Sequence, residues 1–200
     1  MDERGVETGK IVIKYTEYQY TYFTPVGLRT LMEHTPAFAA QLERAIQLYR
    51  GQDHFRIGDL LREHADDPEK PQTFYLVLHD NDVIVSTCRL LYKAEARFGY
   101  INLVYTNPEY RGRQICQHTI DLMIQKTKGM IDTYELDVDS DNGPAKTCYE
   151  RNGFVIVEEN KEEKEYKMRR TLGGGGAKAR KTRKARKTRK ARKARKYRVL

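Results

Sequence analysis

The chain has 200 residues, a formal net charge of +9, 39% hydrophobic residues and three cysteines. This length is enough for one domain to fold without disulfides or metal, and the odd, scattered cysteines argue against a disulfide framework and a structural zinc site. The N-terminus is charged and no apolar run approaches the length of a membrane span, so we expect an intracellular protein in a reducing compartment, with no membrane partner.

The positive charge is concentrated at the C-terminus. Residues 177–200 hold 14 of the 37 Lys and Arg and no acidic residue, so that 1–176 contain 23 basic against 28 acidic residues, a net charge of −5. Four glycines at 173–176 separate the two parts and have the composition of a flexible linker. We therefore expect a folded domain over 1–172, a glycine linker over 173–176 and a basic tail over 177–200.

The tail repeats Ala/Thr-Arg-Lys with a period of three residues. Three residues advance a helix by about 300°, so the Ala and Thr positions wind around the axis and form no apolar face. This excludes an amphipathic membrane helix, and self-repulsion of the charges predicts disorder in the free tail. Nucleic acid is the expected partner, and a nucleus or nucleoid the expected location. The sequence does not indicate the oligomeric state.

In the first third of the chain, residues 11–23 have strand composition, and a change of phase near 15–18 predicts a β-bulge. Thr-Pro pairs at 24–25 and 35–36 predict the starts of two consecutive helices. A further helical turn is predicted over 57–64. The second helix has an apolar face formed by Phe38, Leu42, Ala45, Ile46 and Tyr49, and it should end at Gly51.

From residue 74 onward the pattern predicts an antiparallel hairpin around the turn His79–Asp82, followed by a third strand at Tyr100. Strands and helices then alternate, which implies a crossover and local parallel pairing. The expected fold is α+β or α/β: a mixed, mostly antiparallel sheet with helices on both faces. The later elements are predicted at 100–105, 115–126, 134–138, 144–151, 154–158 and 164–171.

The segment from Tyr105 to Cys116 leads from a strand into a helix. A helix start offers unpaired N–H groups and the positive end of the helix dipole, so it can bind an anion through the main chain. Gly112 allows close approach of the backbone, and Arg111 and Arg113 add positive charge. The segment is therefore predicted to bind phosphate.

Two motifs carry a resemblance to a known family. The first, Pro-Glu-Tyr-Arg-Gly after a strand and before a helix, is similar to the acetyl-CoA loop of the GNAT N-acetyltransferase superfamily, Arg/Gln-x-x-Gly-x-Gly/Ala. Gln114 and Cys116 depart from it, because they stand where the family has Gly and then Gly or Ala. The second motif, Asn-x-x-Ala-x-x-x-Tyr-x-x-x-Gly-Phe, is matched by Asn142, Ala145, Tyr149, Gly153 and Phe154.

The resemblance implies acetyl-CoA as cosubstrate and no metal. It assigns Tyr149 as the general acid that reprotonates the departing thiolate; the alternative is a tyrosine of the core. Asn142 contacts the cofactor or else caps its helix. The remaining cofactor-binding positions are backbone groups of Val104, Tyr105 and Thr106 for the pantetheine arm, and Arg111, Gly112, Arg113, Gln114, Ile115 and Cys116 for the pyrophosphate.

The general base is open. An amine must be neutral to attack a thioester, so a base or a water leading to one is required. Tyr100 lies where some relatives carry a glutamate, although a phenol is a weak base. Asp137 and Asp139 are alternatives that, with Asp141, would attract a cationic amine; they are equally consistent with solvated acids at a strand end. Cys116, at a helix start beside arginines, is either an oxidisable thiol with a lowered pKa or a buried, inert thiol at the Ala position of the motif, and the second is expected.

Two functions follow as hypotheses. The first is an N-acetyltransferase that transfers acetyl from acetyl-CoA to a primary amine, with a protein lysine or N-terminus favoured over a polyamine or other small amine. The Ala-Arg-Lys units of the tail resemble modified lysine sites of histone tails, so the tail is itself a candidate substrate. The second is a catalytically degenerate GNAT fold that binds or packages nucleic acid through the tail.

Overall fold

A computed structural model describes Met1 and residues 5–50, 57–58 and 72–172. Ile57 and Gly58 are helical. The strands are β1 Val6–Ile13, β2 Thr16–Phe23, β3 Gln72–Asp80, β4 Val83–Lys93, β5 Phe98–Thr106, β6 Thr133–Asp139, β7 Val155–Asn160 and β8 Glu165–Thr171; the helices are α1 Pro25–His34, α2 Pro36–Arg50, α3 Ile115–Lys126 and α4 Gly143–Arg151, with a 3₁₀ turn at Pro108–Tyr110.

Residues 11–23, which have strand composition, span the end of β1 and all of β2, and these two strands form a hairpin. The bulge predicted at 15–18 is wrong. β1 and β2 pair from Val6 opposite Phe23 to Ile13 opposite Thr16. Lys14 and Tyr15 connect them with φ of 49° and 69°. Two positive φ values are the geometry of a type I′ turn, which reverses the chain and so changes the phase of the apolar positions.

The two helices expected from the Thr-Pro pairs are confirmed. The Thr24 side chain accepts a hydrogen bond from the Gly27 N–H, and a proline begins each helix. Leu42, Ala45 and Ile46 are buried against the sheet. The Tyr49 side chain, the end of the helix at Gly51 and most of the turn predicted over 57–64 lie outside the described residues.

Eight strands form one sheet in the order β1-β2-β3-β4-β5-β6-β8-β7. Only β5 and β6 pair in parallel among the described strands; all other neighbours are antiparallel. α3 and α4 pack on one face, in the larger core, whereas α2 packs on the other face over Tyr75, Val77 and Leu103. The mixed, mostly antiparallel sheet with helices on both faces is confirmed.

The linker at 173–176 and the tail at 177–200 lie outside the described residues, so the predicted division of the chain stays a prediction. Within the described ranges, no helix is long and apolar enough to cross a membrane.

Candidate functional site

The site is located where two central strands separate. β5 and β6 pair only from Phe98 opposite Thr133 to Tyr100 opposite Glu135. Both strands continue beyond these residues, β5 to Thr106 and β6 to Asp139. The sheet therefore splits at Tyr100, and the cleft that opens there exposes the edge of β5 toward α3 and α4.

A β-bulge turns the end of β5 toward this cleft. Between the pairs Thr87–Tyr105 and Arg89–Asn102, two residues of β5 stand opposite one of β4, and Leu103 has a φ of 48°. As a result Val104 lies on the α3 face, while Tyr105 is buried on the α2 face. Val104 and Thr106 thus border the cleft, whereas the Tyr105 side chain does not.

Buried hydroxyl groups hold the bulge in place. Ser86 Oγ donates to the Tyr105 carbonyl at 2.6 Å, and Thr87 Oγ1 donates to the Leu103 carbonyl at 2.8 Å. Thr119 Oγ1, from α3, donates to Ser86 Oγ at 2.9 Å. These three hydroxyls fix the backbone of β5 relative to α3, so the bulge and the helix start are positioned as one unit.

The loop before α3 has the open backbone that was expected of a phosphate-binding turn. Gly112 has a φ of 75°, and a Cβ placed there would meet no atom within 4 Å. Gln114, with a φ of 65°, precedes α3 and makes no side-chain capping hydrogen bond. The first N–H groups of α3 are therefore not capped by the side chain before them, and they remain suited to an anion.

α4 forms the opposite wall. Asn142 caps it, since its Oδ1 accepts a hydrogen bond from the Ala145 N–H at 3.1 Å. Tyr149 is 7% exposed and packs edge-to-face on Phe154, with ring centroids 6.2 Å apart. Tyr149 also lines the cleft, so this residue packs in the core and borders the site at once, and its role as general acid stays a prediction.

The two walls enclose a cavity of about 540 Å³. This volume lies in the range of about 300–1,000 Å³ that is typical of sites for organic ligands. The loop lies on one wall and Tyr149 on the other, and Gly112 leaves room for a phosphate. The lining residues predicted from the sequence are Val104, Thr106, Arg111, Gly112, Gln114, Ile115, Cys116, Asn142 and Tyr149.

Sequence reasoning missed several lining residues, among them Tyr110, Gln117, Cys148 and Arg151. Arg151 adds a second cation to the cavity beside Arg111. Its position could have been found, because Ala145, Cys148 and Arg151 recur at steps of three residues, which lie near one another on the surface of a helix.

Besides Tyr105, two further predicted residues, Arg113 and Tyr100, lie outside the cavity lining. The Arg113 guanidinium stacks over the Tyr110 ring at 4.9 Å and donates to the Glu109 carbonyl. Tyr100 is half-buried at the split of the sheet, and its hydroxyl donates to Asp137 Oδ2 at 2.7 Å. Tyr100 follows Gly99 and precedes Ile101, which face the α3 side, so it points to the opposite face together with Asp137.

The expectation that Cys116 is an inert free thiol is wrong. Cys116 forms a disulfide with Cys148, and their Cα atoms lie 6.2 Å apart. Cys88 is the free cysteine, buried in the core, and burial raises the pKa of its thiol. Because the number of cysteines is odd, at least one of them has no partner within the chain. This does not exclude a disulfide between the other two, which lie on helices that pack together.

Acidic side chains gather on the β6 and β8 face opposite the cavity. Asp137 and Asp139 alternate with the buried residues of β6, as expected for one face. The pKa of Glu165 is raised by partial burial and then by the charges of Glu163, Asp137 and Asp139. This end of the sheet therefore carries four acidic side chains close together, with Lys167 opposite Asp137 in the β6–β8 register. Among the described residues, no group of three or more His, Cys, Asp or Glu is placed to hold a metal ion.

Several solved structures are similar to this fold. An acyl-CoA N-acyltransferase from Pseudomonas aeruginosa is 17% identical, with a TM-score of 0.57 over 77% of this chain and 99% of that chain. An acetyltransferase from Streptococcus agalactiae is 13% identical, with a TM-score of 0.56 over 84% and 99%. An aminoglycoside 6′-acetyltransferase type Ii is 17% identical, with a TM-score of 0.54 over 72% and 95%. At these identities the likeness shows the fold.

The sequence comparison identifies the family directly. No curated protein matches the sequence closely enough to suggest a specific activity. The model of the acetyltransferase (GNAT) family matches residues 38–154, more than half of the chain and all of the elements that form the cavity. The chain therefore belongs to the acetyltransferase (GNAT) family.

Proposed function

We propose that the protein is an N-acetyltransferase that transfers the acetyl group of acetyl-CoA to a primary amine. The observation that carries this proposal is that the same cavity is lined by the glycine-containing start of α3 on one wall and by the hydroxyl-bearing Tyr149 on the other. A long ligand with phosphates at one end and a reactive thioester at the other fits such a cavity.

On the cofactor side, the start of α3 binds the pyrophosphate through N–H groups, with Arg111 and Arg151 supplying positive charge. The bulged end of β5 holds the pantetheine arm through backbone groups near Val104. Tyr149 Oη donates a proton to the sulfur of the departing CoA, which would otherwise leave as an unstable thiolate. Gln114 places a side chain at the cavity wall where the family has glycine, so the affinity for acetyl-CoA is expected to be equal to or lower than with glycine there.

On the amine side, the acidic side chains at the end of β6 and β8 attract the protonated amine. Asp137 lies on the face of the sheet opposite the cavity, beside the split between β5 and β6, so an amine that reaches the thioester through this split passes its carboxylate. Asp137 is the best candidate to accept the proton, directly or through water, because the Tyr100 hydroxyl donates to the carboxylate and fixes its orientation. Tyr100 then acts as a positioning group, a role that suits a phenol better than that of a base. A protein lysine or N-terminus is favoured over a small amine, because the basic tail would deliver the domain to nucleoprotein.

Calorimetry of the full chain with acetyl-CoA, followed by turnover assays on lysine peptides, N-terminal peptides and polyamines, tests this proposal. Binding in the micromolar range and CoA release with at least one amine are expected. If millimolar acetyl-CoA gives no heat of binding, the protein is not an acetyltransferase.

A second candidate function rests on the tail. Its 14 basic residues without any acid favour nucleic-acid binding, either as an anchor for the enzyme or as the main function of a domain that has lost catalysis. Gln114 and Cys116, which depart from the family motif, favour the latter; Tyr149 and Asn142 favour the enzyme. The salt titration described in the Discussion tests nucleic-acid binding separately from acetyl transfer.

A further inference from the structure

We propose that the Cys116–Cys148 disulfide is a redox-sensitive lock on the cavity, and that reduction by a dithiol weakens the binding of acetyl-CoA. The proposal rests on the function proposed above, because it concerns the same cavity. It adds a site of reversible modification, a disulfide whose state controls the cavity.

The disulfide connects the two walls of the cavity. Cys116 is the second residue of α3, Cys148 lies in the middle of α4, and 32 positions separate them in sequence. Both line the cavity, beside the loop on one wall and Tyr149 on the other. Breaking the disulfide therefore removes a covalent constraint on the distance between α3 and α4, the two walls that the ligand must contact together.

Non-covalent contacts alone hold α4 when the disulfide is broken. Of the nine residues of this fully described helix, only Cys148 and Tyr149 are buried. Tyr149 packs on Phe154, and Lys146 donates to the Ser140 carbonyl and lies over the Tyr166 ring. Beyond the end of the helix, Asn152 Nδ2 donates to the Gln117 carbonyl on α3 at 3.2 Å. The disulfide is the covalent tie between α3 and the turns that carry Ala145 and Tyr149, so its reduction loosens the cavity-lining part of the helix.

Cys116 is the more exposed of the two cysteines, so the reductant reaches it first. Cys116 is half-buried at the cavity wall, whereas Cys148 is 8% exposed. A thiolate of the dithiol attacks Cys116 Sγ, the Cys116–Cys148 bond breaks, and Cys148 leaves as a thiolate that takes up a proton. The second thiol of the reductant then closes its own disulfide and releases Cys116 as a thiol. Two electrons and two protons pass from the dithiol to the protein.

Binding and redox state must be coupled in both directions. If the oxidised cavity binds acetyl-CoA more tightly, bound acetyl-CoA makes the disulfide harder to reduce. A cofactor in the cavity also covers the approach to Cys116. The protein in a reducing compartment would hold its cofactor weakly, and oxidation would tighten it.

The test compares acetyl-CoA affinity of the full chain, by calorimetry, in the oxidised form and after reduction with dithiothreitol. We expect about tenfold weaker binding after reduction, within the range usual for coupled sites. The double variant Cys116→Ala/Cys148→Ala should bind like the reduced protein and ignore dithiothreitol. Cys88→Ala, the matched control at the free cysteine, should keep the redox dependence.

A second measurement does not require the reduced chain to stay folded. The rate at which dithiothreitol exposes two alkylatable thiols, followed by intact mass, should fall when acetyl-CoA is present. An unchanged rate, equal or tighter binding after reduction, or three alkylatable cysteines in the untreated chain would each overturn the lock. Absence of binding in both forms would overturn the proposed function together with it, whereas equal binding overturns the lock alone.

Discussion

Gln114 adopts a left-handed backbone conformation, with φ 65° and ψ 14°, directly before α3. A residue with a Cβ pays roughly 1 kcal/mol or more for this conformation, and glycine avoids it. The glycine of the family motif at this position is therefore explained by backbone geometry as well as by space for phosphate. We expect Gln114→Gly to stabilise the protein by about 0.5–1 kcal/mol, and to leave acetyl-CoA affinity unchanged or increase it. Urea unfolding and calorimetry measure the two effects.

Lys164 provides the matched control for this variant. It also has a positive φ, of 57°, but it lies at the turn before β8, away from the cavity. Lys164→Gly should raise stability in the same way without changing the Kd for acetyl-CoA. Weaker binding in Gln114→Gly would show that the glutamine side chain contacts the ligand favourably.

Tyr149→Phe removes the proton donor and keeps the ring that packs on Phe154. The expected result is a fall in kcat of about 10²-fold or more, with a small change in the free energy of unfolding, because the loss of a general acid affects the transition state. Steady-state kinetics and thermal unfolding check both parts. Tyr166→Phe, at a tyrosine whose ring packs under Lys146, serves as control and should turn over normally. Unchanged turnover in Tyr149→Phe would exclude this residue from the mechanism.

At the scale of elements, the structure agrees with the sequence wherever the signal is local. A capping threonine before a proline predicts the starts of α1 and α2, and α3 has the predicted limits Ile115–Lys126. The hairpin of β3 and β4 follows from its Asn-Asp turn. Each of these signals is complete within a few residues, so no knowledge of the tertiary contacts was needed.

Some features could not be predicted, either because their residues do not favour the observed backbone conformation or because they depend on contacts distant in sequence. The β1–β2 turn consists of Lys14 and Tyr15, which have positive φ but are not residues that favour it. The bulge at Leu103 contains no glycine or proline and is held by hydroxyls of β4. The disulfide requires α3 and α4 to pack together, which cysteine spacing does not reveal.

Ser86→Ala tests the hydroxyl support of the bulge. Ser86 is fully buried, donates to the Tyr105 carbonyl and accepts from Thr119, so its removal leaves buried polar groups unsatisfied. We expect a loss of about 1–3 kcal/mol in stability and weaker acetyl-CoA binding, because β5 is no longer fixed relative to α3. Urea unfolding and calorimetry provide the readouts.

Thr127→Val is a comparable change at the other end of α3. The Thr127 hydroxyl is buried and bonds to the Met123 carbonyl and to the Tyr134 hydroxyl. Its loss should lower stability and leave the Kd for acetyl-CoA unchanged. If both variants weaken binding equally, general destabilisation rather than the bulge is responsible.

An ion pair connects the first hairpin to the end of α3 and makes stability depend on pH. Lys126 donates to Glu7, and both contact the Tyr20 hydroxyl. The hydrogen bond from Lys126 lowers the pKa of Glu7 below its ordinary value of 4.5. A lowered carboxyl pKa stabilises the fold above the unfolded pKa, and this contribution is lost as pH falls through the lowered folded-state pKa. Stability should therefore drop in acid.

Glu7→Gln should reduce the loss of stability as the pH falls below the ordinary carboxyl pKa of 4.5, as measured by urea unfolding at several pH values. Glu17→Gln removes a carboxylate from the exposed Lys10–Glu17 pair and should have little effect, since exposed pairs contribute little. Equal pH profiles for Glu7→Gln and the parent would show that the Glu7 pair does not contribute to acid sensitivity.

At the scale of the whole molecule, the charge is divided between two parts of the sequence. The cavity and the sheet belong to residues 1–176, which have a net charge of −5, whereas 177–200 carry +14. If both proposed functions hold, a cationic amine and a polyanion are attracted to different parts of the chain. Acetyl transfer and nucleic-acid binding should therefore be separable by truncation.

The tail prediction depends on charge alone. Fourteen basic side chains can neutralise phosphates and release their counterions, so binding should be strong at low salt and indifferent to base sequence. If about 8 phosphates of duplex DNA are contacted, log K against log salt should have a slope of about −7.

Truncation should show that this binding belongs to the tail. Residues 1–172 alone should lose nearly all affinity for DNA, whereas a peptide of residues 177–200 should keep most of it. Acetylation of the tail lysines should flatten the salt slope, because each modified lysine no longer displaces a cation. A salt titration of full-length, truncated and tail-only chains on two unrelated DNA sequences measures this. Affinity retained by 1–172, or a strong preference between the sequences, would show that the body and not the tail binds DNA.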